Sequence, residues 1–408
     1  MIAAPQSRTP HGIGVYLGAV QFLFAATWVV YVIYLPQLAR QVGLDGRAVL
    51  AILLADQAIF AVMDVTMGVA SDRVARVVGR LGKWVVALTV VSCAAALAMP
   101  FVVRDGESAR GVFLALIVVW TATSSALRAP PLVLLGRHAP TPAVPWLASL
   151  SMLGLGVAFA AAPYLAVTLR GMDPRLPFAV ATLSLAAATF GIVWAERRLA
   201  GATPTTAPAV TRASGGGGAA ILAFLVGIVL LGIGFQVNFG LNSAFRYLRF
   251  ATAGDLPYLM PVFWIGFNLA VLPAGALARR LGGVTVVALA AVFGALALYV
   301  TATAGGLQML VAAQFVAGAA WGAALASALA AALALGRTGR EGLLTGALFS
   351  LLAVATFLRI GVVATEFNQA PIFKQIQDWL PMVAWSLAGA LLVILVVARR
   401  PTQRITIR

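Results

Sequence analysis

Charge is scarce in this chain of 408 residues: Asp, Glu, Lys and Arg together make up 10%, against roughly 25% in an average soluble domain. A surface that poor in charge excludes an ordinary water-soluble globule. Cysteine is scarcer still. Cys93 stands alone, so there is no disulfide framework, and its place inside an apolar run suits a small buried side chain. The two histidines, His11 and His138, lie outside the apolar runs, and no cluster of Cys, His and acids has metal-ligand spacing, so neither a metal nor a cofactor is expected. No G-x-x-x-x-G-K-[ST] stretch is present, which excludes a P-loop as the energy source. With no nucleophile, base or metal constellation to work with, an enzyme is not the expectation.

What the chain does have is apolar length, with 62% of its residues hydrophobic. Twelve apolar runs follow one another near 14–39, 48–70, 84–103, 111–135, 144–169, 176–196, 219–246, 257–278, 284–304, 306–335, 342–366 and 379–398. Each can cross a hydrocarbon core about 30 Å thick at about 1.5 Å per residue. The ten-residue alternation of a membrane β-barrel is missing, so the spans are read as helices. The first run is too long for the 7 to 15 apolar residues of a cleavable leader and reads as the first span.

The net charge of +16 takes its meaning from where it lies. If the spans alternate, one face holds 17 Arg and Lys against Asp72, Glu196 and Glu341, while the other holds 8 against 7 acids. The positive-inside bias then puts both termini in the cytoplasm and the protein in the cytoplasmic membrane. No basic stretch is long enough, or carries enough aromatic residues, for nucleic acid. The polar stretch RRLAGATPTTAPAVTRASGGGG, from Arg197 to Gly218, divides the spans six and six. The expected organisation is an N-terminal bundle over 1–198, a cytoplasmic linker over 199–217 and a C-terminal bundle over 218–408.

The two halves echo each other. GVASDRVARVVGRLGKW follows the second span from Gly68, and GALARRLGGV follows the eighth from Gly275, setting Asp72 and Arg73 against Arg279 and Arg280. The layout and the G-x-x-x-D-R loop, with Arg80, Gly82 and Lys83 after it, resemble the major facilitator superfamily over the whole chain. Within it, MDVTMGVASDR resembles the melibiose permease and glycoside-cation symporter group, which has an Asp where Asp64 precedes Gly68. That group usually has Pro and a second Asp where this chain has Val65 and Phe60. The resemblance implies an all-α membrane protein of twelve helices in two six-helix bundles. It implies a monomeric secondary transporter working by alternating access on a small-molecule solute with a coupling ion, in contact with membrane lipid and with no nucleic acid. It also implies a gating latch at Gly68, Asp72 and Arg73, echoed by Arg279 and Arg280, and a cavity lined by the first, fourth, seventh and tenth helices.

Ionisable groups inside the spans carry the chemistry. An Asp near the bilayer centre costs about 2.5–3.5 kcal/mol on insertion scales. Asp64, and Asp56 two turns before it, must therefore face protein or water, and each is a candidate for coupling a proton or sodium ion. Arg128 shares a helical face with Thr121 and Ser124 or Ser125 and lies at a depth similar to Asp64. A guanidinium stays charged in essentially any protein setting, so Arg128 either anchors an anionic solute or pairs with Asp64. Asn238 and Asn242 are expected to line the cavity, while Arg246, four residues on, is read as reaching the interface. Arg359, seven residues before Glu366, is read as a pair or an outer gate. Trp28 and Tyr31 belong to an aromatic and hydroxyl stripe on the first span, and Gln314 and Trp321 to the tenth; both suit a part-apolar ligand or simple packing. The best reading is symport of a small polar or anionic solute, the alternatives being export of a drug or metabolite and an accessory membrane protein of the same fold. The fifth span lacks the Gly-Pro dipeptide of drug antiporters, which weighs against multidrug export.

Overall fold

The structure is a computed structural model and describes residues 11–75, 77, 80–139, 143–201, 217–336 and 339–398. Most of the expected linker, from residue 202 to 216, lies outside the described residues. Among the described residues there is no strand, and eleven helical segments are long and apolar enough to cross a membrane.

The first half comprises α1 (His11–Gln41), α2 (Gly46–Val74), α3 (Arg80–Val102), α4 (Arg110–Ser124), α5 (Pro130–His138), α6 (Val144–Thr168), α7 (Arg175–Thr189) and α8 (Gly191–Gly201). The second half comprises α9 (Gly218–Val237), α10 (Ser243–Tyr247), α11 (Leu256–Leu259), α12 (Pro261–Leu281), α13 (Gly283–Thr303), α14 (Leu307–Leu335), α15 (Glu341–Ala364), α16 (Pro371–Ile376) and α17 (Leu380–Ala398).

Local signals set the ends. Asp45 caps α2, its Oδ1 accepting the Ala48 N–H at 2.8 Å. Gly282, at φ 85°, stops α12 in a conformation that a side chain disfavours. One of the eleven segments, Arg80–Leu135, is 56 residues long, about 84 Å if it ran straight. It does not run straight: a 3₁₀ stretch, Val103–Ala109, turns at Gly106 (φ 66°), and α3 and α4 pack against each other as two legs of a hairpin.

Packing repeats between the halves. In the first, α1 lies against α6 and α7, and α3 against α4 and α7. In the second, α9 lies against α15 and α17, and α13 against α14 and α17. The halves meet along two seams, α2 with α15 and α6 with α12. The second long helix of each half therefore faces the fifth of the other. A side chain at Gly68, Gly342 or Gly346 would run into the facing backbone of the first seam, so these glycines set how closely α2 and α15 approach. At the second seam Gly275 does the same against Ser149 and the Pro145 carbonyl.

Two of the interruptions within the expected spans bear on the polar groups. The run 111–135 breaks after Ser124 into a 3₁₀ turn, Ser125–Leu127, before α5 begins at Pro130. Pro130 and Pro131 lack the N–H groups that would close the helix onto Ala126 and Leu127. The freed Leu127 carbonyl accepts the Gln21 Nε2 amide from α1 at 2.7 Å. The run 219–246 passes through a π turn, Asn238–Asn242, between α9 and α10.

Candidate functional site

The break in the fourth span positions Arg128. It follows the 3₁₀ turn, with its backbone N–H on the Ser125 carbonyl at 3.1 Å, and its guanidinium turns toward α2. There Arg128 Nη1 lies 2.9 Å from Asp64 Oδ2, with the Asp64 side chain fully buried and that of Arg128 16% exposed. The Phe60 ring, one turn before Asp64, lies 4.6 Å from the guanidinium carbon, and the Phe349 ring of α15 lies 5.3 Å from it. Both aromatic faces are within the range of cation–π attraction. One face comes from each half of the molecule, so the ion pair sits at the seam. Gly346 of α15 abuts the Asp64 carbonyl, and Ser350 Oγ donates to the Ala61 carbonyl at 2.6 Å.

Asp56 is also fully buried, but its partners are neutral. Tyr31 Oη donates to Oδ2 at 2.9 Å and Thr121 Oγ1 to Oδ1 at 2.7 Å. No basic side chain is in ion-pair distance of it among the described residues. Asp56 meets Thr121, and eight residues on Asp64 meets Arg128, seven after Thr121. The matching advance shows that α2 and α4 run in the same direction. Between the two carboxylates, Trp28 stacks on Trp120 at 5.3 Å and meets Phe60 at 5.3 Å, while Tyr31 lies 4.3 Å from Trp120.

Near the opposite end of the molecule the second half holds a separate polar network. Asn238 Nδ2 donates to Gln314 Oε1 at 3.1 Å, Gln314 Nε2 to Ser243 Oγ at 2.9 Å, and Ser243 Oγ to the Asn238 carbonyl at 2.8 Å. Arg246 Nη1 donates to Asn238 Oδ1 at 3.1 Å, and its Nη2 pairs with Asp378 Oδ1 at 2.9 Å. Asn242 Nδ2 donates to the Gln377 carbonyl at 2.8 Å. Asn238 and Asn242 are thus buried within their own half, and Arg246, only 5% exposed, turns inward to Asp378 instead of outward to the interface. Trp321 is buried as well, stacked on Phe235 at 4.6 Å.

At the end where α2 stops and α15 starts, Asp72 Oδ1 accepts the Gly342 N–H at 2.7 Å and Oδ2 the Leu343 N–H at 2.9 Å. A carboxylate from one half thereby caps a helix of the other, with the helix dipole adding to the attraction. Arg73 beside it is exposed. Arg279 and Arg280 at the second seam are exposed and make no ion pair or hydrogen bond among the described residues. Arg359 makes no pair with Glu366 either; its Nε donates to Gln236 Oε1 at 2.8 Å.

The sequence brought Asp64 and Arg128 to the same depth, but Phe60, Phe349, Trp120 and Asp378 were missed. Phe349 is supplied by a helix whose rotation no periodicity fixes, and Asp378 by the turn between α16 and α17. Pro130–Pro131 was the available signal for the helix break.

No protein-family model matches the sequence, and no curated protein does. Solved structures do. The human organic anion transporter MFSD10 (TETRAN) superposes with a TM-score of 0.70 at 15% identity, covering 95% of this chain and 100% of that one. A bacterial homologue of the iron transporter ferroportin, in an outward-facing state, gives 0.72 at 13% identity, covering 94% and 99%. The proton:xylose symporter XylE, bound to a bromodeoxyglucose, gives 0.69 at 11% identity, covering 95% and 96%. At these identities the likeness is one of architecture, and over nearly its whole length the chain has the fold of the major facilitator superfamily transporters.

Proposed function

We propose that the protein is a monomeric secondary transporter that moves a small polar or anionic organic solute by alternating access, coupled to a proton or sodium ion through Asp64. In this reading both legs of the Arg80–Leu135 hairpin cross the membrane, which makes twelve crossings, and the basic ends of the two bundles face the cytoplasm. The bundles are 1–198 and 218–408, joined by the linker 199–217. The observation that carries the proposal is the buried Asp64–Arg128 pair at the seam between the halves. A carboxylate paired with a permanently charged arginine has two stable settings: ionised against Arg128, or protonated with Arg128 free to take an anionic solute. Because Phe349 and Gly346 of the other half touch this pair, a change in it is felt where the halves meet.

Asp56, held by Tyr31 and Thr121, is the second candidate for coupling. Trp28 and Tyr31 would contribute the apolar wall beside the solute. In the second half the candidates for solute contact are Asn238, Asn242, Gln314 and Trp321, each of which would have to leave its present partners to reach it. The latch is assigned to Gly68, Asp72 and Arg73, and its echo to Arg279 and Arg280. The fold neighbours include an organic anion transporter and a proton:sugar symporter, which supports both solute classes. The finer likeness to the melibiose permease group rests on the spacing from Asp64 to Gly68.

Reconstituted vesicles with an imposed proton or sodium gradient test the assignment against a panel of sugars, carboxylates and phosphorylated compounds. Asp64→Asn is expected to abolish uphill accumulation while solute exchange between the two sides continues. Uphill accumulation that survives in this variant refutes the coupling role.

A further inference from the structure

Arg359 is an arginine in the last third of a long apolar helix, and among the described residues it has no counter-charge. It lies on α15 five residues before Ala364, about 7.5 Å from the helix end. Among the described residues no carboxylate is within ion-pair distance of it. Its side chain is nevertheless held in place. Thr356 Oγ1 accepts Gln236 Nε2 at 2.7 Å, and Gln236 Oε1 in turn accepts Arg359 Nε at 2.8 Å. Gly240 makes room for the arm, since a side chain there would strike the Arg359 Cδ. The terminal nitrogens Nη1 and Nη2 have no hydrogen-bond partner among the described residues.

The guanidinium forms part of the wall of a cavity of 90 Å³ between α9, α15 and the start of α17, whose other walls include Ile233, Val237, Val362 and Phe373. That is several times the roughly 10–15 Å³ that admits one water and well below the roughly 300 Å³ of a site for an organic solute. Leu358 on its wall is 48% exposed, so the cavity opens at the surface. A guanidinium keeps its charge here, and in low-dielectric surroundings that charge needs an anion. Its free fork of donors matches an oxyanion or a halide.

We propose that Arg359 and Gln236 form a binding site for one small anionic group, supplied either by a dissolved anion of chloride size or by the phosphodiester of a bilayer lipid that reaches in from the open side. The site is separate from the Asp64–Arg128 pair and does not depend on what the protein transports.

The test is thermal unfolding of the full chain in neutral detergent, with gluconate, too bulky for the cavity, as the background anion. Chloride is exchanged in at constant ionic strength, and in a second arm mixed micelles containing phosphatidylglycerol are compared with micelles containing diacylglycerol, which has no phosphodiester. The wild type is expected to be stabilised by chloride, by phosphatidylglycerol, or by both, and the responding arm names the source. Arg359→Gln is expected to weaken that response at least tenfold in half-saturating concentration. Gln236→Glu supplies the missing charge from within, so it is expected to raise the midpoint in gluconate and to remove the response; it decides the matter alone if Arg359→Gln does not fold. A wild type indifferent to both anions, an unchanged response in Arg359→Gln, or an undiminished one in Gln236→Glu overturns the proposal.

Discussion

At the scale of single residues, two aspartates on one helix are handled in different ways. Asp56 is satisfied by two neutral hydroxyls, whereas Asp64 faces a permanent cation. The sequence placed both inside a span and required each to be compensated. It also named Arg128 as one possible partner, because the energetic argument depends only on depth. It left open whether Arg128 pairs or waits for a ligand, since pairing depends on the rotation of two helices. The energetic consequence is testable. Removing one member of a buried pair strands the other, at about 3–5 kcal/mol, whereas removing both charges is often neutral. Arg128→Gln is therefore expected to lower the unfolding midpoint in detergent sharply, and Asp64→Asn in the same chain to restore most of the loss. Equal midpoints for the single and the double variant would show that the pair contributes nothing to stability.

Helix existence was legible at the scale of elements, and helix continuity was not. All twelve apolar runs are occupied by helix, because a chain in lipid has to satisfy its own backbone groups. The breaks follow from details that hydropathy averages away. Pro130 and Pro131 are consistent with an apolar run, yet they release two carbonyls, and the chain spends Gln21 on one of them. On that account Gln21 acts to hold the break, and through it the position of Arg128. Gln21→Leu keeps the volume roughly constant and leaves the Leu127 carbonyl buried without a partner, a loss of about 1–3 kcal/mol. The expected result is a lower unfolding midpoint, with Gln21→Glu failing to rescue it because a carboxylate has no proton to donate. A midpoint unchanged in Gln21→Leu would mean that the break is held by the prolines alone. The π turn at Asn238–Asn242 gave no sequence signal beyond the polar stripe itself.

For the molecule as a whole, the repeat read from the sequence matched Gly68 with Gly275, and the structure gives each the same job at one of two related seams. The charges beside them are not matched. Asp72 reaches across to two backbone N–H groups at the start of α15, while Arg279 and Arg280 lie exposed beside the other seam. A helix N-terminus attracts an acid and repels a base, so among the described residues the electrostatic contact across a seam is the one made by Asp72. In the proposed alternating access, opening the basic end would break these two Asp72 hydrogen bonds, and bonds to a charged group contribute about 1.5–3 kcal/mol each. Asp72→Asn keeps the shape but loses the charge and one acceptor; a loss of about 2 kcal/mol corresponds to roughly a thirtyfold shift toward the open arrangement. Because Cys93 is the sole cysteine, Cys93→Ser with Ser71→Cys places a single thiol behind the lock, where Ser71 is fully buried against Gly342. Maleimide labelling of that thiol is expected to accelerate by at least tenfold in Asp72→Asn and to stay unchanged in Arg280→Gln. The same labelling rate in all three chains, or acceleration by the Arg280 change alone, would remove the asymmetry on which this account of the closed end depends.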